Sequence, residues 1–292
     1  MPSENDVSVR SQPQSPRNHN LRQRIVVILV AFPALGWLIA AGGWIYALTF
    51  AAILSIAVFE FGLLLRSKGY RPSLPIMVIG VLALAIGRFL WGVNGSAHIL
   101  AFLVLVSQAW HVVDYERGAT SSGTDFALTM GGLVICGWIG PYLISLRNLP
   151  DGLWWILIVL PCVWAADGFA YAIGHAIGKH PLSKRLSPKK TWEGFFGGVL
   201  GGAVFGYLLA LLWRDGFVDT QPVTMLNGLM VGIILSVLTP VGDLSISMIK
   251  REFNAKDTST FIPGHGGLLD RIDSWLWAGI LGYYIVLFLQ NS

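Results

Sequence analysis

Long apolar runs recur along this chain of 292 residues and limit what it can fold into. A run of roughly 20 apolar residues is long enough to cross the hydrocarbon core of a bilayer. Because that core offers no water to backbone amides, each run is predicted to be an α-helix. We expect an all-α polytopic integral membrane protein with about nine transmembrane helices, at 25–41, 44–65, 74–92, 97–113, 126–146, 153–178, 194–213, 224–245 and 274–290.

The composition supports this class. Hydrophobic residues make up 54% of the chain and charged residues only 12%, whereas a soluble domain carries about 25% charged residues. Too few charges remain to cover a globular surface, so lipid must cover much of it. The chain also has 34 glycines. The stretch from Gly194 to Gly206, GFFGGVLGGAVFG, is typical of closely packed membrane helices.

Basic residues indicate the orientation. If the N-terminus is cytoplasmic and the spans alternate, 17 of the 20 Lys and Arg residues fall on the cytoplasmic side, as the positive-inside rule requires. Only Arg88, Arg147 and Arg214 fall near the other side. The net charge of +4 therefore reflects topology, and an anionic ligand, rather than nucleic acid. An odd number of spans would place the C-terminus outside.

The chain divides into three parts. Residues 1–24 are rich in Ser, Pro, Asn and Gln and are predicted to be a disordered cytoplasmic tail; a cleavable signal peptide is the alternative. Residues 25–150 form the N-terminal transmembrane helices, and residues 151–292 form the C-terminal catalytic region. Cys136 and Cys162 lie inside predicted spans and are interpreted as packing residues without a disulfide.

The loop between the sixth and seventh spans, Gly178 to Gly194, holds five cations. Thr191 is expected to cap the next helix, which leaves free N–H groups and the positive end of the helix dipole for an anion. With Ser187, Lys189 and Lys190 nearby, the loop predicts a phosphate site. The alternative is an ordinary cytoplasmic loop.

The segment before the last span is richer in charge. Lys250, Arg251 and Lys256 supply fixed positive charge, and Pro263-Gly264-His265-Gly266-Gly267 is a turn in which glycines accept positive φ. Asp270 and Asp273, three residues apart, share one helix face. Carboxylates at the membrane boundary favour a divalent cation such as Mg²⁺; the alternative is salt bridges to Arg271 or Lys256.

Three more acids lie within predicted spans. Asp243 ends the eighth span and can reach the same metal as Asp270. Asp167 precedes the loop at 178–194 and can approach the site from the other side. Glu60 is a candidate functional acid by the same argument, but a local ion pair with Arg66 explains its presence equally well. His180 and His265 are expected only to form hydrogen bonds.

These residues predict an integral membrane enzyme whose cytoplasmic face binds Mg²⁺ and a polyphosphate. They also resemble a known family. Ser247-x-x-Lys250-Arg251-x-x-x-x-Lys256-Asp257, followed by Pro263-Gly-His-Gly-Gly267-x-x-Asp270-Arg271-x-Asp273, is similar to the signature of phosphatidate cytidylyltransferases. Ser187-Pro-Lys-Lys-Thr-Trp-Glu-Gly194 and Gly242-Asp243-Leu244 add to the resemblance, which covers residues 160–290. The chain departs from the family at position 168, where Gly168 replaces a small hydroxylated residue.

The resemblance implies transfer of a cytidylyl group from CTP to phosphatidate, which gives CDP-diacylglycerol and pyrophosphate, in the cytoplasmic membrane. Mg²⁺ would be present as two ions or as one ion with a monovalent cation. The implied ligands are Asp243, Asp270, Asp273 and, as a further ligand, Asp167. The implied catalytic residues are Lys250, Arg251, Lys256 and Asp257, with Asp257 orienting Lys256. The implied substrate-binding residues are Ser187, Lys189, Lys190, Thr191, Ser247, His265, Gly266 and Gly267. A homodimer is also implied.

Two alternatives remain from the sequence. A CTP-dependent lipid kinase would need similar cations and acids, but it would release CDP. A transporter of an anionic solute would place charges on broken helices at mid-bilayer rather than at one membrane face.

Overall fold

The computed structural model describes residues 33–216, 223–259 and 266–291. The predicted tail at 1–24 and residues 25–32 of the predicted span at 25–41 lie outside these residues, and so does His265. Residues up to Leu38 form a unit of their own, of which 33–38 are described and helical. The chain from Ile39 onward forms a second compact unit. The predicted boundary at 150/151 falls inside that second unit.

From Gly43 onward, the described residues form eight α-helices, one π-helix and one β-hairpin. The helices are α1 (Gly43–Ser67), α2 (Leu74–Glu116), α3 (Ser122–Gly132), a π-helix (Leu133–Ile139), α4 (Tyr142–Arg147), α5 (Gly152–Ile177), α6 (Trp192–Gly216), α7 (Met225–Glu252) and α8 (Leu269–Gln290). Seven continuous helical stretches in the described chain are long and apolar enough to cross a membrane, with α3, the π-helix and α4 forming one of them. The predicted all-α polytopic membrane architecture is confirmed at this level, although the number nine is not.

Helix α2 accounts for much of the difference in number. It contains two predicted spans, 74–92 and 97–113, in one element of 43 residues. At 1.5 Å per residue a straight helix of this length would be about twice as long as a bilayer core is thick. The backbone breaks instead at Gly92, where φ is 67°. Arg88 Nε donates to Ser96 Oγ across the break at 2.8 Å, so the two halves fold back on each other.

The second half of the chain forms a tightly packed helical layer in which α6 packs against both α5 and α7. Glycines make this contact close, as the sequence predicts. A Cβ atom on Gly198 would lie 2.8 Å from the carbonyl oxygen of Ala166. On the other side of α6, a Cβ on Gly206 would clash with the carbonyl of Gly228, and one on Gly232 would clash with that of Gly202. We call these four residues, Gly202, Gly206, Gly228 and Gly232, the glycine seam.

The first half packs around an apolar core between α1, α2 and the π-helix. Leu54, Val58, Met77 and Leu84 are fully buried there. Cys136 and Cys162 are also buried, and both are free thiols, which confirms the prediction that they are packing residues. Helix α8 closes the unit by packing on α7, α5 and α4.

The loop between α5 and α6 is a β-hairpin, which was not predicted from the sequence. Strand β1 (Pro181–Ser183) pairs antiparallel with β2 (Ser187–Thr191). The hairpin lies directly before α6 and presents part of the candidate site.

Candidate active site

The hairpin contacts α7 through one lysine. Neighbouring residues of a strand point to opposite faces, and Lys189 and Lys190 differ accordingly: Lys189 is exposed and Lys190 is half-buried. The Lys190 ammonium group donates to Asp243 Oδ2 and forms an ion pair with it. The two segments that the sequence predicts to converge are therefore in direct contact.

The start of α6 is capped as predicted. Gly194 N donates to Thr191 Oγ1 at 3.2 Å, the pattern of an N-cap residue. Glu193 in the first turn accepts from His180, with His180 Nδ1 and Glu193 Oε1 separated by 2.6 Å. His180 forms hydrogen bonds, as expected. The phosphate-binding role of Ser187, Lys189, Lys190 and Thr191 stays a prediction.

Two further carboxylates lie near the Lys190–Asp243 pair. Asp167 of α5 interacts electrostatically with Lys190 and Asp243. Asp273 of α8 interacts with Asp243, Lys250 and Lys190. Asp243 and Asp273 come near each other because α7 and α8 pack closely at Gly242, where a Cβ would lie 2.7 Å from Trp277 Cγ. Three helices therefore contribute acids to one region at one end of the bundle.

Asp270 joins three parts of the chain. Its Oδ1 accepts from Lys250 Nζ at 2.7 Å. Its Oδ2 accepts from the backbone N–H of Thr258 at 2.8 Å, from Thr258 Oγ1 at 3.0 Å and from Gly267 N at 3.1 Å. Both Asp270 and Lys250 are nearly buried. The salt bridges to Arg271 and Lys256 that the sequence left open are not formed among the described residues; the partner is Lys250.

Glu60 is a site residue whose partners the sequence did not reveal. It is 2% exposed, and its carboxylate accepts from Ser259 Oγ at 2.8 Å, Leu268 N at 2.6 Å and Leu269 N at 3.2 Å. The suggested local pair with Arg66 is wrong, because Arg66 donates to the carbonyl of Pro72 instead. Glu60 instead holds the N-terminus of α8, where a negative charge is favourable.

The remaining predicted residues lie at the edge of this region. Arg251, Lys256 and Asp257 are exposed, and no ion pair joins Lys256 to Asp257 within the described segments. Ser247 Oγ lies 3.5 Å from Asp243 Oδ1. Gly266 has a φ of 78°, which confirms that the turn uses positive φ.

Gly267 lies deeper in this turn. It is buried, and a Cβ there would lie 2.8 Å from Glu60 Oε2. This position fits a packing role for Gly267 against Glu60, while its substrate-binding role stays a prediction.

The charge balance around Asp243 bears on the predicted metal. In the described parts of the chain, no group of three or more His, Cys, Asp or Glu side chains is arranged to hold a metal ion. Asp243 and Asp273 nevertheless interact as like charges, and within these segments Lys190 is the only cation that forms a hydrogen bond with either carboxylate. Carboxylates facing each other in this way favour a bound cation, and their hard oxygen donors suit Mg²⁺. The donor chemistry therefore fits Mg²⁺, although the ligands are not assembled around one point.

Taken together, the bundle and this region define a multi-pass membrane protein with a polar site of lysines and aspartates at one end of its helices. Such a site suits a phosphorylated substrate. The chain belongs to the cytidylyltransferase family, whose model matches residues 22–289.

Several curated proteins are similar to this chain over most of its length. It is 34% identical to the phosphatidate cytidylyltransferase of Pseudomonas aeruginosa, over 87% of this chain and 92% of that protein. It is 30% identical to the phosphatidate cytidylyltransferase of Bacillus subtilis, over 91% and 98%. It is 31% identical to the chloroplastic phosphatidate cytidylyltransferase 5 of Arabidopsis thaliana, over 97% and 76%. These proteins match the family that the two motifs resemble.

Proposed function

We propose that this protein is a phosphatidate cytidylyltransferase, which converts CTP and phosphatidate into CDP-diacylglycerol and pyrophosphate. The observation that carries the proposal is the contact of Lys190 with Asp243, beside Asp273 and Asp167. It joins the two motifs that resemble this family in one polar site. The names of the similar proteins from bacteria and plants support the same reaction.

The reaction requires no protein nucleophile. A phosphate oxygen of phosphatidate attacks the α-phosphorus of CTP, a new P–O bond forms, and the bond to the β-phosphate breaks as pyrophosphate leaves. The protein must hold both phosphates in line and stabilise the charge that develops. Lys190 and Lys250 lie among the carboxylates and would neutralise substrate phosphates there. Arg251 and Lys256 are exposed at the edge and would attract the triphosphate.

The proposed cofactor is Mg²⁺. Asp243 and Asp273 would hold it. Asp167, which interacts electrostatically with Asp243, would be a further ligand. The ion, when bound, would polarise the phosphoryl oxygens. Asp270 also stays a predicted ligand, but its four donors favour a positioning role: it orients Lys250 and fixes the turn at Gly267.

We also propose that the protein lies in the cytoplasmic membrane with this site facing the cytoplasm. The basis is the distribution of Lys and Arg, since the segments at the site end carry most of them. The lipid substrate could then reach the site from the surrounding leaflet. A homodimer stays a prediction from the resemblance.

The reaction can be tested with purified protein, CTP, Mg²⁺ and phosphatidate. We expect pyrophosphate release that depends on phosphatidate. Release of CDP instead would indicate the lipid kinase, and no turnover with binding of an anionic solute would indicate the transporter. Asp151→Asn is a suitable control variant, because Asp151 begins α5 at the end of that helix far from Asp167 and has a positive φ that Asn tolerates.

A further inference from the structure

A second polar cleft lies at the same end of the bundle, outside the candidate active site. It has a volume of about 550 Å³ and lies where α1 ends, where the connection to α2 runs and where α2 approaches its own end. The charged and aromatic residues that line it are Arg66, Tyr70, Arg71, Trp110 and Asp114. Its volume is within the range of small-molecule sites, roughly 300–1,000 Å³.

The backbone of this cleft is held by buried side chains of α3. Arg71 N donates to Asp125 Oδ1 at 2.7 Å, and Ser73 N donates to Thr129 Oγ1 at 3.0 Å. Asp125 and Thr129 are both buried. Arg66 Nη2 donates to the Pro72 carbonyl at 3.2 Å and closes the loop from the other side. These hydrogen bonds therefore fix the backbone of the connection between α1 and α2, which forms one wall of the cleft. The arginines of the cleft are held by this fixed backbone.

The charged side chains of the cleft suit an anionic ligand that also carries a hydrogen-bond donor. Arg71 is exposed and has no side-chain hydrogen bond or ion pair in the described parts of the chain, and Arg66 uses one of its donors on Pro72. The remaining guanidinium donors suit the paired oxygens of a phosphate. Asp114 lines the same space, so its carboxylate can accept from a hydroxyl or ammonium group of the same ligand.

The aromatic residues place the cleft at a membrane interface. Trp110 is 47% exposed and lies four residues before Asp114, on the same face of α2. Tryptophan at the end of a membrane helix favours the level of the lipid headgroups. Tyr70 packs edge-on against Phe253, with ring centroids 5.6 Å apart. Phe253 follows Lys250 by three residues, so the cleft and the candidate active site open at the same end of the bundle.

We propose that this cleft is a second, non-catalytic lipid site, which binds the headgroup of a glycerophospholipid through its phosphate. Arg66 and Arg71 hold the phosphate, Asp114 accepts from a headgroup hydroxyl or ammonium, and Trp110 packs beside the glycerol and the start of the acyl chains. A soluble anion would use the arginines but would gain nothing from Trp110. Ordinary interfacial attraction would use all basic residues of this end equally.

The test uses the full-length protein in a neutral detergent without CTP, so it is independent of catalysis. Dioctanoyl phosphatidylglycerol is titrated, and bound lipid is counted by native mass spectrometry. We expect saturable binding of one lipid per chain at this site. Arg71→Gln should weaken it about tenfold, since one charge-assisted contact to phosphate is lost. The matched control is Arg117→Gln, because Arg117 is an exposed arginine just after α2 that does not line the cleft.

Further arms separate the sources of binding. Trp110→Ala should also weaken phosphatidylglycerol binding, while dioctanoylglycerol, which lacks the phosphate, should not bind at this site. Inorganic phosphate in millimolar excess should not displace the lipid. Equal losses in Arg71→Gln and Arg117→Gln would overturn the proposal in favour of ordinary interfacial attraction. Displacement by inorganic phosphate, or unchanged binding in Trp110→Ala, would overturn it in favour of a simple anion site. Thermal unfolding of each variant checks that the fold is retained.

Discussion

Replacement of Glu60 by Gln tests the role of the carboxylate that holds the start of α8. Glu60 accepts three hydrogen bonds, from Ser259 Oγ, Leu268 N and Leu269 N. In Glu60→Gln the amide oxygen can still face the two backbone N–H groups, and the amide NH₂ can donate to the serine hydroxyl. What is lost is the negative charge, which strengthens each bond and interacts with the positive end of the helix dipole.

The size of the effect follows from these contacts. A charge at a partly buried helix terminus is worth up to about 2 kcal/mol, so we expect Glu60→Gln to lower the free energy of unfolding by about 1–2 kcal/mol. For a chain of this size that corresponds to a fall of about 2–3 °C in the apparent Tm. Glu60→Ala removes the acceptor altogether and leaves a cavity, so about 3–5 kcal/mol is expected. The turnover number should also fall, about tenfold for Glu60→Gln, because Asp270 and Asp273 lie in the first turns of α8 and small displacements at a reacting site are costly.

The assay compares apparent Tm in detergent with phosphatidate-dependent pyrophosphate release. Glu116→Gln is the matched control, because Glu116 is an exposed acid at the end of α2. The reasoning is refuted if Glu60→Gln and Glu116→Gln change both quantities equally. A fall in Tm with an unchanged turnover number would support the role of Glu60 at the start of α8, but it would refute the link between that role and the active site.

Three further predictions concern the site and the helix packing. Asp273→Asn should lower turnover at least about 100-fold and shift the Mg²⁺ dependence without lowering Tm. Asp270→Asn should lower both turnover and Tm, because Asp270 accepts four hydrogen bonds. Mg²⁺ titrations and thermal unfolding distinguish the two variants. Lys190→Met should raise KM for CTP about tenfold through loss of a cation for phosphate, and unchanged KM would exclude contact with CTP. Gly232→Ala should lower the free energy of unfolding by about 1–3 kcal/mol, because its Cβ would clash with the backbone of α6. The control Gly131→Ala has no atom within 4 Å of the new Cβ and should be neutral or slightly stabilising.

The membrane helices could be predicted from sequence because their signal is local. A run of apolar residues is sufficient to identify a span, and the bilayer leaves helices as the solution. The predicted spans 74–92 and 97–113 correspond to the two halves of α2, which fold back on each other at Gly92. The sequence did not reveal that a single residue of positive φ makes this turn inside one nearly continuous helical element.

The candidate site was partly predictable for the same reason. Lys190, Lys250, Asp243 and Asp270 stand in charged segments, where they are conspicuous. Their partners depend on tertiary contacts between distant segments: Lys190 is 53 residues from Asp243, and Glu60 is 208 residues from Leu268. Glu60 has Arg66 nearby in sequence, but the fold directs its carboxylate elsewhere.

Thr258 was missed although it binds Asp270 with both its amide and its hydroxyl. The available signal was the run Asp257-Thr258-Ser259-Thr260 between two apolar helices. Hydroxyl residues in such a run favour local bonds to a nearby carboxylate or backbone. The β-hairpin at 181–191 was also missed, because its strands of three and five residues are too short for an alternating pattern to be recognised.

The glycine seam connects the packing of the helices with the chemistry of the site. Gly206 lies opposite Gly228 and Gly202 opposite Gly232, so α6 and α7 run antiparallel in a fixed register. The same two helices carry the ion pair of the site, since Lys190 lies just before the start of α6 and its partner Asp243 lies in α7. Because glycines let the two backbones approach, a side chain in the seam would separate the helices and lengthen the Lys190–Asp243 contact. Residues buried far from the charged segments thus determine how the lysine and the aspartate meet, and Gly232→Ala should raise KM for CTP as well as lower stability.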